Sequence, residues 1–583
     1  MRRLLFVVLL IVGATFVPAA GVRGEDKVTF TVGQLQNVDS LNVTVGGLVI
    51  DFEIWNLIWP SLTNMAAKDF AAEPSMAESW SNSSDGLTWT YKMRPGMKWS
   101  DGEPMTADDV KYTIDRANEE AWNSHISITG NLTATIVDEN TLEIKTSVPD
   151  PRLPALGAYI IPKHIYEKVS ADDMPNYTAE DKIGGGPFML DEVDKEFTRL
   201  VRNPNWYGKK PAMDEVIFRF YADQNAEFQA LQSGEIDALD GVPEQSYASI
   251  ENSDTIEAIA GNQGGFSELS MNSGCSSKPG NGNPALTDIK VRQAINYAID
   301  RDLLVEKTLV GHGIPGTAIV PSADPSWDLK VPEGKLFSYD PEKAKSLLAE
   351  AGWTDTNGNG TVDKDGEELK LRFFDRSEGD GGQNTDFLTG WLKDIGIATD
   401  VTTMDDDALA AAVGQNEFDI FTWGWVPFVD PDAELSYFVS GQATTDPEVV
   451  GYNDANWCSA EYDDLYNQQH VELDVAKRHD IVQKMLEIMY EEAPYVVLYK
   501  YDDLQAIRSD RWENFVRQPA ETGPVLFTNT SPAYVELVAK GGGGSDSGGS
   551  AALWAGIAVA AVAITGGGLW FRSRRKGSDD ERE

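Results

Sequence analysis

Cysteine is nearly absent from this chain, with two in 583 residues, and neither lies in residues 1–24. That excludes lipid attachment through an N-terminal cysteine. Histidine is almost as rare: five residues, none arranged as H-E-x-x-H, and no G-x-S-x-G occurs. Two common hydrolytic architectures are therefore missing. Bases are outnumbered, 48 Lys and Arg against 93 Asp and Glu, for a formal charge of -45. Such a field repels nucleic acid and anionic lipid and favours solubility. Acids are also too abundant for any pair to be singled out as glycosidase carboxylates. No internal repeat is visible. The three glycines at Gly184, Gly185 and Gly186 lack the strand-to-helix spacing of a phosphate cradle, which excludes nucleotide binding there.

What is present points to a folded, exported body. A hydrophobic fraction of 42% and 16 Trp exclude bulk disorder, and 583 residues call for two or three domains. Residues 1–24 read as an export signal: Arg2 and Arg3 precede an apolar run, and Ala19 and Ala20 offer a cleavage site. At the other end, 538–550 form a Gly/Ser linker, whose ten residues from 541 have a reach of about 17 Å. Residues 551–571 are uncharged and as a helix would extend about 31 Å, enough to cross a bilayer. Arg572, Arg574, Arg575 and Lys576 follow, so 572–583 are expected in the cytoplasm and the body outside, on a single-pass anchor. Cys275 and Cys458 either bridge, closing a long loop, or are separately buried thiols; export favours the bridge. Sequons begin at Asn42, Asn82, Asn131, Asn176 and Asn529.

Residues 87–110, LTWTYKMRPGMKWSDGEPMTADDV, open as a strand, with Leu87, Trp89, Tyr91 and Met93 on one face. A Pro95-Gly96 turn, a short strand to Trp99 and a helix capped by Thr106 follow. Residues 203–239 read as a turn, a strand, a helix and a strand, a βαβ-like unit. An amphipathic helix is expected over 286–309, and another begins at Pro341 under an Asp340 cap and stops at Gly352. The 87–110 series, the L-x-x-G-E-I-D segment ending at Asp237, VRQAINYAID and YDPEKAKSLLAEAGW resemble, in order, the text of the family 5 extracellular solute-binding proteins. These are the oligopeptide-, dipeptide- and nickel-type receptors of ABC importers.

The resemblance implies an α/β, type II periplasmic-binding-protein fold, with two lobes closing over a solute. Lobe one would collect 27–60, 185–265 and 495–537, with an added subdomain at 61–184; lobe two would be 266–494. In peptide-binding relatives the loop after the first strand offers backbone partners to an extended ligand, which maps to Asn37, Val38 and Asp39. The stretch FDIFTWGWVPFVDPDAEL at 418–435 should reach the cleft carrying Trp423 and Trp425. Here the sequence departs from the family. The acid that often follows the last Trp is missing until Asp430, which joins Trp423 and Trp425 as a candidate ligand contact, and Thr422 replaces a common arginine. A ligand without fixed terminal charges at this spot is the expectation.

Residues 355–367 resemble a calcium loop, with oxygen donors at Asp355, Asn357, Asn359 and Asp363. Gly366 occupies the twelfth position, where a bidentate acid belongs, so a polar hairpin without metal is favoured over a structural calcium. The whole implies a monomeric, non-enzymatic receptor that hands a peptide-like solute to an ABC permease. Oligosaccharide or metal-chelate binding, or sensing without transport, are the alternatives.

Overall fold

The computed structural model describes residues 27–540, apart from 39, 47, 121, 123–131, 156, 179–181, 263, 276–280, 378–380, 444–451 and 527–531. The expected export signal, the linker from 541, the membrane span and the cytoplasmic tail lie outside the described residues, as do Asp39, Asn131 and Asn529. Among the described residues no helix is long and apolar enough to cross a membrane.

The strand Thr88–Met93 buries Trp89, Tyr91 and Met93 and leaves Lys92 exposed, the alternation its sequence carries. It sits second in a four-stranded antiparallel sheet with Ala77–Asn82, Thr141–Thr146 and Leu132–Asp138. The helix Ala107–Glu120 starts on a reciprocal cap. Asp108 N donates to Thr106 Oγ1 at 3.2 Å, and Thr106 N donates to Asp109 Oδ2 at 2.8 Å. The glycine run then lets the chain pass hard against the helix Val49–Ile58. A Cβ on Gly186 would lie 2.4 Å from the Leu57 carbonyl oxygen, so no side chain fits there.

Two larger sheets stand where the resemblance places lobe one and lobe two. The first runs, in space, Glu257–Gly261, Asp503–Ile507, Ala238–Asp240, Thr29–Gln34, Glu215–Phe220, Phe197–Arg202, Phe188–Val193. Thr29–Gln34 is parallel to both its neighbours, Glu215–Phe220 and Ala238–Asp240. The βαβ unit is thus real but split: the chain's first strand lies between its two strands. The second sheet runs Gly313–Pro315, Tyr495–Tyr501, Phe266–Met271, Ile420–Trp425, Lys370–Arg376, Ala398–Met404.

Strand alternation gives that second sheet a core on each face. Leu269, Met271, Leu371 and Phe373 pack with Ile295, Leu348 and Leu392 on one side. Phe266, Tyr495 and Val497 pack with Tyr462, Met485 and Leu486 on the other. At about 25 cal/mol per Å² of apolar surface, these layers supply most of the lobe's stability.

Three expectations are corrected. Tyr495–Tyr501 belongs to the second sheet, so the chain returns to lobe one at Asp502 and not at 495. Its residues are almost all buried because it is a central strand, and the boundary moves with it. The helix expected over 286–309 is three pieces: a 3-10 turn, then Ile289–Ala298, then Arg301–Lys307. Asp300 accepts a hydrogen bond from Leu303 N at 3.0 Å and so starts a new helix where one was continuing. Asn42, read as a sequon, is fully buried and donates its side chain to the Met174 carbonyl at 2.7 Å, which leaves no room for a glycan.

Candidate functional site

The chain passes between the two lobe sheets twice, after Gly261 and at Asp502. Phe266 and Trp425 are cross-strand partners at the crossing edge of sheet two. At the corresponding edge of sheet one end Thr29–Gln34 and Ala238–Asp240, parallel strands whose carboxyl ends open on the crevice typical of such sheets.

The lobes also touch away from the crossings. Arg152 of the subdomain reaches Asp432 of lobe two at 3.3 Å, and Phe70 packs with Ala323 beside Val429. Burial pushes the Asp432 carboxyl up, but the His470 hydrogen bond and the Arg152 charge outweigh it and hold the group below its usual value. Asp432 therefore stays ionised and the ion pair persists. Arg152→Ala is expected to speed release of a bound solute about fivefold, read by stopped-flow fluorescence. An unchanged release rate would show that this contact does not hold the lobes together.

The residues singled out from sequence fall into different environments. Trp425 is half-buried and donates Nε1 to Glu268 Oε1 at 3.0 Å, with its ring 5.4 Å from that of Tyr437. The residues after it, Val426 and Phe428, are 53% and 52% exposed, an apolar lip at the crossing edge. Trp423 packs instead with Leu409, Phe418 and Phe421, under the Arg376 guanidinium 4.7 Å from its ring centroid. Thr422 is buried, its hydroxyl 3.3 Å from Asp375.

Asp430 is engaged within lobe two: both carboxylate oxygens take Arg478, at 2.7 and 2.8 Å, and one caps the helix Pro431–Tyr437 through Asp432 N. A ligand contact there would have to displace a bidentate pair. In the first-strand loop Val38 N already donates to Asn37 Oδ1, and Asn37 Nδ2 donates to Lys195 O. This leaves fewer backbone groups for strand addition than the loop's position suggests.

The 355–367 loop is held by its own polar groups. Asp355 accepts from the backbone of Gly358, Asn359 and Gly360, and Asp363 accepts from Thr356 N and Oγ1. Asn357 Oδ1 accepts from Asn359 N, and Asn359 Oδ1 from Thr361 N. These oxygens tie the turns of the loop together. Cys275 and Cys458 are joined as a disulfide, with Cα atoms 5.2 Å apart.

Sequence reasoning missed the acids beside Trp425. Glu434 lies within the 418–435 stretch itself, on the helix after Trp425, whereas Glu268 comes from a strand far upstream and Asp454 from a later loop. A visible signal was Glu268, an acid in FSELSM at a position whose neighbours Phe266 and Ser270 face the core.

Two sheets joined by two crossings, with aromatic and apolar groups at the shared edge, define a hinged solute-binding protein. The model of bacterial extracellular solute-binding proteins, family 5, matches residues 71–446, and the chain belongs to that family. It is 28% identical over 495 residues to the oligopeptide-binding protein AppA of Bacillus subtilis (strain 168), covering 82% of this chain and 86% of that one. It is 29% identical over 446 residues to the glutathione-binding protein GsiB of Escherichia coli O1:K1 / APEC, covering 74% and 81%. Among solved structures, NikZ from Campylobacter jejuni with Ni(L-His) superposes with a TM-score of 0.71 at 22% identity over 88% of this chain and all of that one. AppA from Bacillus subtilis with a nonapeptide gives 0.67 at 24%, covering 88% and 98%. These two likenesses establish the fold.

Proposed function

We propose that this chain is the extracytoplasmic receptor of an ABC importer, taking a peptide-like solute between its lobes and presenting it to a membrane permease. One observation carries the reading: a family 5 body whose two sheets are linked by two crossings, with Trp425 and its apolar lip at the shared edge. The relatives named for oligopeptides and glutathione favour peptide cargo over sugar. The receptor works without chemistry. A solute that contacts both lobes binds the closed arrangement better than the open one, so it shifts the population toward closure. The permease reads the closed shape.

We infer a membrane tether as well. Its support is the uncharged segment 551–571 followed at once by four bases, which would hold the body on the outer face by a glycine-rich leash. A monomer suffices for this work.

Mass spectrometry of small molecules released from the purified full chain tests the cargo. Peptides are the expected result, and an oligosaccharide or metal chelate in their place would overturn the peptide assignment. Trp425→Ala is expected to weaken binding of the released peptides at least about tenfold, since a desolvated aromatic anchor contributes on the order of 1.5–3 kcal/mol. Isothermal titration would read this. Unchanged affinity would move the contact surface elsewhere.

A further inference from the structure

Beneath Trp425 lies a group of carboxyls with no cation partner among the described residues. Glu268, from the strand Phe266–Met271, is 0% exposed; Glu434, from the helix Pro431–Tyr437, is 2% exposed. Glu268 Oε1 takes the Trp425 indole, but Glu268 Oε2 and Glu434 Oε1 are buried without a hydrogen-bond partner among the described residues. Asp454 completes the group, half-buried, accepting from Tyr495 Oη at 2.5 Å. The three lie within electrostatic reach of one another, and among the described residues no Lys, Arg or His is one of the charges that act on them.

Burial and mutual repulsion push Glu434 up to about 8 and Glu268 well above its usual value; Asp454 is pushed up to about 7, chiefly by burial. A protein that only needed these positions filled would do better with apolar or amide side chains, because unpaired buried oxygens are costly.

The surroundings say what would relieve that cost. The Trp425, Tyr437 and Tyr452 rings form a continuous rim, with centroids 5.4 and 4.8 Å apart in turn, and Tyr452 is 46% exposed. Aromatic rings and carboxyl oxygens each attract a desolvated cation, and here the Trp425 ring edge meets Glu268 directly through its indole N–H. The rim also stands at the crossing edge, next to the apolar lip of Val426 and Phe428. The acid lacking from the loop after Trp425 is thereby supplied from another strand and helix.

We propose that Glu268, Glu434 and Asp454, behind the Trp425–Tyr437–Tyr452 rim, form the specificity subsite of this receptor for an ammonium or guanidinium group of its solute. This rests on the peptide reading above and reverses the expectation, drawn from sequence, of a ligand without fixed charge here. The cation is either a terminal amine or a basic side chain; both present the same chemistry.

Titration calorimetry of the detergent-solubilised full chain with three probes separates the cases: tetraalanine amide with a free amine, acetyl-tetraalanine amide, and acetyl-Ala-Lys-Ala-Ala amide. The wild type is expected to bind one or both cationic probes at least about 30-fold tighter than the neutral one. Glu268→Gln and Glu434→Gln, which keep shape and cannot ionise, should cut that preference to less than about threefold. Preference for the free amine alone assigns a peptide terminus; preference for the lysine probe assigns a side chain.

Equal binding of all three by the wild type overturns the subsite and leaves the receptor reading standing, and this result needs no variant to fold. A preference that survives both substitutions overturns the assignment to these residues. Binding of none of the three overturns the peptide reading and the subsite with it.

Discussion

Replacing Cys275 and Cys458 together by serine is expected to lower the stability of the body by about 5 kcal/mol, the chain-entropy value for a closed loop of this size. The two are 183 residues apart in sequence and 5.2 Å apart at Cα. The bridge therefore restrains much of lobe two in the unfolded chain. The native state accommodates it without distortion of its neighbours, because backbone bonds already hold the same two segments. Ser273 N donates to Ala455 O, and Cys275 N to Asn456 O, each at 2.8 Å. Asn456 Nδ2 reaches Asn272 Oδ1 at 3.3 Å beside them. Those bonds survive the substitution, so the variant should fold with the same secondary structure and unfold at lower urea. A loss below about 1 kcal/mol would mean that the unfolded chain is already restrained there by other contacts.

The second large effect is a pH dependence of stability set by Glu227. This side chain is fully buried on the helix Gln224–Ser233, packed against the first strand so closely that a Cβ on Gly33 would lie 2.6 Å from Glu227 Oε1. Neither of its oxygens has a hydrogen-bond partner among the described residues. Burial first, and the Asp240 charge second, push it up to about 8.

The sign follows from proton counting. Between the ordinary carboxylate value near 4.5 and about 8, the folded protein holds a proton that the unfolded chain has released. Stability is therefore greatest at acidic pH within this window and falls as pH rises through it. Glu53, pushed up to about 7 by burial despite its Tyr534 and Gln34 hydrogen bonds, acts in the same direction. Glu227→Gln keeps the shape and removes the titration. The variant is expected to be more stable than wild type by about 3 kcal/mol at pH 8 and nearly equal to it at pH 5. Urea unfolding at the two pH values measures this. Equal stability of both proteins at pH 8 would show that Glu227 is solvated or paired in solution.

Much of the scaffold was legible in the sequence because its signals are local. The alternation of Trp89, Tyr91 and Met93, the Thr106 and Asp340 caps and the Pro341 start each depend on residues within a few positions. Where a tertiary neighbour decides, the sequence reading failed. Tyr495–Tyr501 looks like any apolar strand, and only its pairing with Phe266–Met271 assigns it to lobe two. The break at Asp300 needed the knowledge that its side chain turns back on Leu303 instead of facing solvent.

The site shows the same division. Trp423 and Trp425 are two positions apart, yet one packs under Arg376 and the other over Glu268. Asp430 looked available until Arg478, 48 residues on, was placed against it. The acid near Trp425 lies 157 residues upstream. No pattern of spacing along the chain encodes such a contact.

Hydrogen–deuterium exchange of the full chain, with and without its released peptide cargo, tests the hinged-receptor account most directly. The account predicts slowed exchange on both lobes at once, over the loop at Asn37 and Val38, the strand end at Trp425, and the crossing strands on either side of Asp502. Protection confined to one lobe, with peptide demonstrably bound, would contradict it.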